Sequence, residues 1–365
     1  MMLLLLDRDF NVCGTIEQYE CLIWKRKYFE PGSFSLVLPA SFFRRMREAV
    51  YLFHPRNNET AVIETIEFTS GSDGERSLAV SGRMLECLLG RRVIQDTAYL
   101  SGSVGDAVND LVRTYAMTGD RKIPLLSYIG ENTLTEPIDT QVAGADLLDT
   151  LYTLLKPCGA SLSLKYSADR ERLEFSAWKG INRAQTQTEN RWAVFSTSLE
   201  NVAASAYSCR RSDYRNFAYV YGTEQNGERI FTTVNRIKSG EERRELFVDA
   251  RDLKKTVLNN AGEESTLTDE EYKQLLAGRG AEKLEQYAPV EAFTGTLSQN
   301  APPVYRVDYD LGDTVSLEDT ENGISAELRV TELIEIWKDG RRKINAVFGE
   351  KAPVSVREMV RRSMV

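Results

Sequence analysis

The sequence has little of what enzymes most often use for catalysis. It contains one histidine, His54 in the stretch LFHPRN, so a Ser/His/Asp or Cys/His triad would have to use this residue. The motifs GxSxG and HExxH are missing, and so are the phosphate-binding loops GxxxxGKS/T and GxGxxG. LFHPRN is typical of a strand end followed by a turn, where histidine is usually structural or solvated. We therefore expect no catalytic residues.

Long apolar runs and paired cysteines are also lacking. The opening MMLLLLDRDF has no basic start and too few apolar residues for a secretory signal, so we interpret it as a buried first strand. No run approaches the roughly 20 residues that span a bilayer, and we predict no membrane insertion. The five cysteines are odd in number and without CxxC spacing, which is typical of reduced core residues in a protein made in the bacterial cytoplasm.

The charge balance is acidic. The chain of 365 residues carries a formal net charge of −8, whereas sequence-independent binding to nucleic acid needs a basic surface. Apolar residues make up 42% and charged residues 27%, as in soluble globular proteins. The length predicts two or three domains.

One aromatic and basic segment, WKRKYF, departs from this acidic background. Its composition matches surfaces that stack on single-stranded nucleic acid. In a strand, however, alternation places Trp24, Arg26 and Tyr28 on one face and Lys25, Lys27 and Phe29 on the other. An edge strand guarded by Lys and Arg also fits this pattern. We predict an assembly interface rather than a nucleic-acid site, formed by Trp24, Lys25, Arg26, Lys27 and Tyr28.

The densest carboxylate group lies in DYDLGD, which holds Asp308, Asp310 and Asp313. On a strand the first two side chains would share a face, so a Ca²⁺ or Mg²⁺ site is one hypothesis, although the twelve-residue EF-hand loop is missing. The alternative is a strand entering an Asp-Gly turn, where these residues bond the local backbone. No cofactor is indicated.

The order of patterns predicts a mixed β fold with an α+β insertion. The pattern of residues 1–95 predicts short strands with turns at regular spacing, and the pattern of residues 96–195 predicts an α+β module. Residues 196–350 are β-rich again, interrupted by a charged loop and helix over about 239–290. The last segment, 351–365, is a short basic amphipathic tail.

Two helix starts are marked clearly. Ser103, with Asp106 three residues later, predicts an N-cap in SVGDAVNDLVRTYA. Thr268 and Glu271 in TDEE form a predicted capping box for a second helix. Its two glycines within LLAGRGAEK each weaken a helix by about 1 kcal/mol relative to Ala, so a continuous helix and a helix broken there both stay open.

Several segments, taken in order, carry a resemblance to a known family. They are LDRDFNVCGTIEQYECLIWKRKYFEPGSFSLVLP, SDYRNFAYVYG, FVDARDL, LTDEEYKQLLAGRGAEKLEQ, VYRVDYDLGDTVSLED and RVTELIEIWKDGRRKINAVFGE. Together they resemble siphophage and prophage tail-hub proteins over about residues 3–350. That family is related in fold to the central baseplate hub of contractile phages.

The resemblance implies two related antiparallel β-barrels in each chain and a homotrimer. Three such chains would form a pseudo-sixfold ring that matches a hexameric neighbour, as the symmetry of closed oligomers requires. The implied partners are the distal tail protein, the tail tube protein, and a tail fibre or lysin component. The implied location is the virion tail or a prophage-derived tail-like particle.

Two alternatives remain open. Many relatives continue into a peptidase, lysin or fibre, whereas this chain ends at Val365, so cell-wall hydrolysis by this chain is in doubt. A tail-associated hydrolase or peptidase using His54 or carboxylates is the first alternative. The second is a carbohydrate-binding tail module with exposed tryptophans; the candidates are Trp24, Trp178, Trp192 and Trp337.

Overall fold

A computed structural model describes residues 1–70, 76–225, 227–258, 264–298, 302–319 and 321–349. The predicted basic tail, 351–365, lies outside the described residues. Within them the chain folds into 25 strands and four α-helices. No helix in these ranges combines the length and apolar character needed to cross a membrane.

The first seven strands come from the N-terminal β-rich region. They are β1 (Leu3–Leu6), β2 (Val12–Ile16), β3 (Cys21–Lys27), β4 (Ser33–Pro39), β5 (Tyr51–His54), β6 (Glu59–Ser70) and β7 (Arg76–Met84), with helix α1 (Phe43–Glu48) between β4 and β5. In β4 the alternation buries Phe34, Leu36 and Leu38 on one face, as the sequence predicts. These strands enclose an apolar core that includes Leu3, Trp24 and Met46.

The middle of the chain is the α+β module. Its elements are β8 (Val93–Ile94), β9 (Ala98–Ser103), α2 (Val104–Ala116), β10 (Leu126–Ile129), β11 (Pro137–Val142), β12 (Ala145–Asp146), α3 (Leu147–Leu155), β13 (Ala160–Ser167) and β14 (Arg172–Lys179). The Oγ of Ser103 accepts a hydrogen bond from the N–H of Asp106, so the predicted N-cap of α2 is confirmed. Both helices pack their apolar faces on one core with β13 and β14.

The rest of the chain adds eleven strands and a long helix. They are β15 (Val194–Ser196), β16 (Val202–Arg210), β17 (Phe217–Gln225), β18 (Glu228–Asn235), β19 (Glu245–Asp249), β20 (Thr256–Leu258), β21 (Glu264–Thr266), α4 (Asp269–Gln286), β22 (Val290–Leu297), β23 (Thr314–Asp319), β24 (Ile324–Lys338) and β25 (Arg341–Gly349). One core lies under β22 to β25, and another lies between α4 and the sheet β18-β17-β19.

Helix α4 shows both halves of the predicted capping box. Thr268 accepts a hydrogen bond from the N–H of Glu271, and the Glu271 side chain accepts one from the N–H of Thr268. Of the two alternatives at the glycines, the structure shows the continuous helix. A Cβ on Gly280 would lie 2.5 Å from Cγ2 of Val220, so this glycine lets the helix approach the sheet closely.

The large sheet joins the two ends of the chain. Its strand order is β16-β22-β25-β24-β3-β4-β7-β6-β5-β1-β2, with β23 on β24 and β15 on β23. The mixed β fold with an α+β module is confirmed. The two predicted barrels are instead two strand groups, antiparallel except for the parallel pair β15–β23, that are fused through β24 and β3. Pairings among the described strands close neither group into a ring. The domain boundaries stay a prediction.

The cysteines are only partly core residues. All five are free thiols, and Cys87 is buried. Cys13 and Cys209 are exposed, so the expectation that all five lie in the core is wrong for these two.

We predict that Gly82→Ala destabilises the fold, whereas Gly14→Ala does not. A Cβ at position 82 would lie 1.8 Å from the carbonyl oxygen of Val62, next to the β6–β7 bulge, so the backbone must move. At position 14 the same Cβ makes ordinary contacts with Leu5 at 3.4 Å and beyond. Thermal unfolding followed by circular dichroism is expected to show a loss of about 1–3 kcal/mol for the first variant only. Equal midpoints for the two variants would contradict the prediction.

Candidate functional site at a buried ionic junction

Strand β3, which carries most of WKRKYF, lies inside the sheet. It pairs with β4 on one side and with β24 on the other, where Trp24 lies opposite Glu335. The interpretation of β3 as a guarded edge strand is therefore wrong. Its position was set by a partner strand about three hundred residues later in the chain, which strand alternation does not reveal.

The two aromatic residues of the predicted interface are fully buried. Trp24 and Tyr28 have no exposed surface, so their side chains cannot contact another subunit. The hydroxyl of Tyr28 donates to the carbonyl of Gly159 at 3.0 Å and accepts from the N–H of Gly180 at 3.1 Å. The backbone N–H of Tyr28 donates to the carbonyl of Thr331 at 2.9 Å. Tyr28 thus ties the N-terminal strands to the α+β module and to β24.

Arg26 is the centre of an ionic network between distant segments. Its guanidinium contacts Glu59 at 2.7 Å and Asp310 at 2.5 Å, and donates to the Tyr305 hydroxyl at 2.9 Å. Glu59 also accepts from the indole N–H of Trp24 at 2.7 Å and from Arg306 at 3.1 Å. We call these residues the junction, and we include in it the neighbouring residues described below: His54, Asn57, Glu335, Arg342, Asp313 and Arg183.

The electrostatics of Arg26 follow from this geometry. Burial alone would lower its pKa, because a charged group loses hydration. The nearby Glu59, Tyr305 and Asp310 outweigh burial and hold the pKa of Arg26 above its ordinary value. Arg26 is therefore a permanent cation that needs its carboxylates in place.

A second part of the junction lies at the far side of Trp24. Glu335 of β24 is fully buried, accepting from the side-chain amide of Asn57 at 3.0 Å and pairing with Arg342 at 2.6 Å. His54 is also fully buried, against the Trp24 ring at 5.0 Å, and its Nδ1 accepts from the N–H of Asn57 at 3.1 Å. Its Nε2 has no partner among the described residues. A catalytic role for His54 would need access that this position does not give.

The predicted metal site is an arginine-paired turn instead. Asp310 contacts Arg26, Asp313 accepts from Nε of Arg183 at 2.8 Å, and Asp308 accepts from a backbone N–H. No group of three or more His, Cys, Asp or Glu side chains in the described part of the chain is arranged to hold a metal ion. The carboxylates of this stretch serve to anchor the loop before β23.

A cavity of about 460 Å³ lies between the junction and the hairpin β13–β14. Its lining includes Arg26, Glu59, Glu86 and Trp178. The Oε1 of Glu86 accepts from the N–H of Leu164 at 3.4 Å, and its Oε2 has no partner within the described ranges. Burial raises the pKa of Glu86 to about 7, so its contribution to stability is lost as the pH rises from about 4.5 towards 7.

The remaining predicted interface residues, Lys25 and Lys27, are half-buried, and Lys27 pairs with Glu30 at 2.7 Å. An exposed aromatic cluster lies elsewhere, on the sheet β18-β17-β19. There the Tyr221 ring stacks with Phe231 at 5.3 Å and with Phe247 at 5.4 Å. The sequence analysis did not predict this cluster, although the alternation of residues in FAYVYG and RIFTTVN indicates strands with aromatic side chains on one face.

Known proteins place this architecture in context. A family model described as Siphovirus ReqiPepy6 Gp37-like protein matches residues 2–350. Among curated proteins, none matches the sequence.

Three solved structures share the fold across nearly their whole length. A tail protein from Neisseria meningitidis MC58 is 15% identical with a TM-score of 0.55, covering 96% of both chains. The 43 kDa tail protein of prophage MuSo2 from Shewanella oneidensis is 11% identical with a TM-score of 0.57, covering 95% of this chain and 98% of that one. Prophage tail protein gp18 from Listeria monocytogenes EGD-e is 12% identical with a TM-score of 0.55, covering 100% and 99%.

We predict that Glu59→Ala is strongly destabilising. It removes the main partner of Arg26, whose side chain is only 16% exposed, and leaves the Trp24 indole N–H unpaired. Breaking a buried pair in this way costs about 3–5 kcal/mol. The matched control is Glu64→Ala, whose partner Arg83 is 54% exposed, so the expected loss is below about 1 kcal/mol. Urea unfolding measures both, and similar losses would contradict a structural role for the junction.

We predict that His54→Asn reduces the loss of stability in mild acid. Burial lowers the pKa of His54, so the unfolded chain takes up a proton before the folded chain does, and stability falls as the pH drops below about 6.5. Asparagine keeps an acceptor for the Asn57 N–H but does not titrate. The unfolding midpoints of both proteins are measured at about pH 7.5 and pH 5.5. The titration of Glu86 contributes equally to both proteins, so it does not affect the comparison. An unchanged difference between the two pH values would reject the assignment.

Proposed function

Because the chain belongs to the Siphovirus ReqiPepy6 Gp37-like protein family, we propose that it is a structural subunit of a phage or prophage tail hub. The observation that carries this proposal is the shared fold with three phage and prophage tail proteins over at least 95% of each chain. In this role the protein joins the tail tube and the distal tail protein to the tail tip.

The architecture supports a ring-forming role. Each chain has two antiparallel strand groups, held in one body by the pairing of β3 with β24. In a homotrimer, three chains present six such groups, which gives the pseudo-sixfold repeat needed to match a hexameric tail tube or distal tail protein. A tail fibre or lysin component is the proposed partner on the opposite side, and the proposed location is the virion tail.

A hydrolase or peptidase role has less support. His54 is fully buried and packed against Trp24, so it has no path to a substrate. The carboxylates of the junction are paired with Arg26, Arg183 and Arg342, which leaves them unsuited to proton transfer. We propose that the chain has no catalytic residues.

A carbohydrate-binding role is also less supported. Trp24 is buried, and the ring of Trp337 is covered by Arg56 and Arg342, each 5.4 Å from its centroid. Trp178 packs edge-on against Tyr28 at 5.0 Å. Trp192 is the exposed one of the four, at 55%, and a lone tryptophan offers a small stacking surface.

Deleting the gene from its phage or prophage distinguishes these functions. A hub role predicts that no complete tails appear in electron micrographs, and that the wild-type chain supplied in trans restores them. A His54→Asn chain is expected to restore tails and plating equally well. Complete tails without the chain would overturn the proposal, and tails that assemble but fail to degrade peptidoglycan only in the His54 variant would establish the hydrolase.

A further inference from the structure

Helix α1 carries an exposed basic and aromatic patch that was not predicted from the sequence. The stretch FFRRMRE buries Met46 and exposes Arg44, Arg45 and Arg47. We call these three arginines, together with Phe42, Phe43 and Phe68, the α1 patch. Phe68 of β6 is 41% exposed and lies against the Phe43 ring at 5.0 Å.

The arginines of the α1 patch have no ion pairs in the described part of the chain. Glu48 lies one turn from Arg44 on the same helix, yet the two do not pair. Arg45 instead lies over the Phe42 ring at 5.8 Å, and Arg47 over the Phe43 ring at 6.0 Å. These distances are close to the limit for a cation–π contact, so the rings bias the positions of these two guanidinium groups without fixing them.

The charge of the patch contrasts with the charge of the chain. Helix α1 holds three arginines and one glutamate, a net charge of +2, while the whole chain carries −8, so the other residues carry −10. Two copies repel each other on average, and an attractive contact must bring the α1 patch of one copy to an acidic surface of the next. Arginine and phenylalanine are also the residue types enriched at protein interfaces.

We infer that the α1 patch is the basic half of a contact between copies of this chain, with an acidic surface of the next copy as its occupant. The contact is head-to-tail in the proposed ring, since a head-to-tail contact closes into a ring when the rotation permits. The inference rests on the proposed hub function and assigns one of its subunit contacts. A nucleic-acid phosphate contact is less favoured, since three arginines on an acidic chain release few counterions.

Sedimentation velocity tests this contact with the full chain and a charge-reversal variant. The variant is R44E/R45E/R47E, and its control is K122E/R191E/R211E, which reverses three charges at other exposed positions. Wild type and control are expected to associate at about 0.05 M salt and to dissociate at about 0.5 M, because salt screens the pairs. The α1 variant is expected to associate at least about tenfold more weakly at low salt.

A mixing experiment tests the head-to-tail geometry. The α1 variant keeps its acidic surface, so a labelled variant is expected to bind to wild type although it does not bind to itself. Failure of this mixed association would overturn the head-to-tail contact. So would equal association of variant and wild type, or a wild type that stays monomeric at low salt.

The inference and the hub function fail in different ways. If wild-type rings form but the α1 variant forms them equally well, the patch is rejected and the hub function stands. If the deletion strain makes complete tails, the hub function is rejected whatever the patch does. Binding of a DNA duplex that the variant loses, with self-association unchanged, would make the patch a phosphate contact and overturn the inference.

Discussion

The pairing of β3 with β24 is the constraint on which the rest of the structure depends. It brings residues from the two ends of the chain into one sheet, and it places Arg26 where Glu59 and Asp310 must both be present. A buried ion pair contributes little net stability against a hydrophobic replacement, but an incomplete one is costly. The network therefore acts mainly through specificity, since any other strand register would leave a buried charge without its partner.

Tyr28 extends this constraint beyond the sheet. Its hydroxyl is bonded to the backbone at Gly159 and Gly180, which belong to the segments flanking the hairpin β13–β14. Its ring also takes the space that a side chain at Gly312 would fill, because a Cβ there would lie 2.3 Å from it. One segment of the sequence thus fixes both strand groups and the α+β module to one another.

The sequence predicted features whose causes are local. The alternation of β4 and the caps at Ser103 and Thr268 depend on residues within one turn or one strand, and they appear in the structure as expected. The environment of WKRKYF was not predictable in this way, because a strand from the far end of the chain covers its edge. Alternation correctly separated the faces of β3 but gave no information on what lies against them. The α1 patch was not predicted because arginines on a short helix are usually solvated, and the phenylalanine rings beside them come together only in the fold.

The distribution of positive charge connects folding with assembly. In the interior, Arg26, Arg183 and Arg342 are each matched by a carboxylate of the same chain, so they are unavailable to partners. The α1 patch is different, since Arg45 and Arg47 lie over phenylalanine rings and all three of its arginines face solvent. We therefore place in the α1 patch the positive charge that the proposed contact needs to offset the repulsion between acidic copies. Such a contact is weak for two free chains and strong in a closed ring, because each subunit then makes two contacts at once.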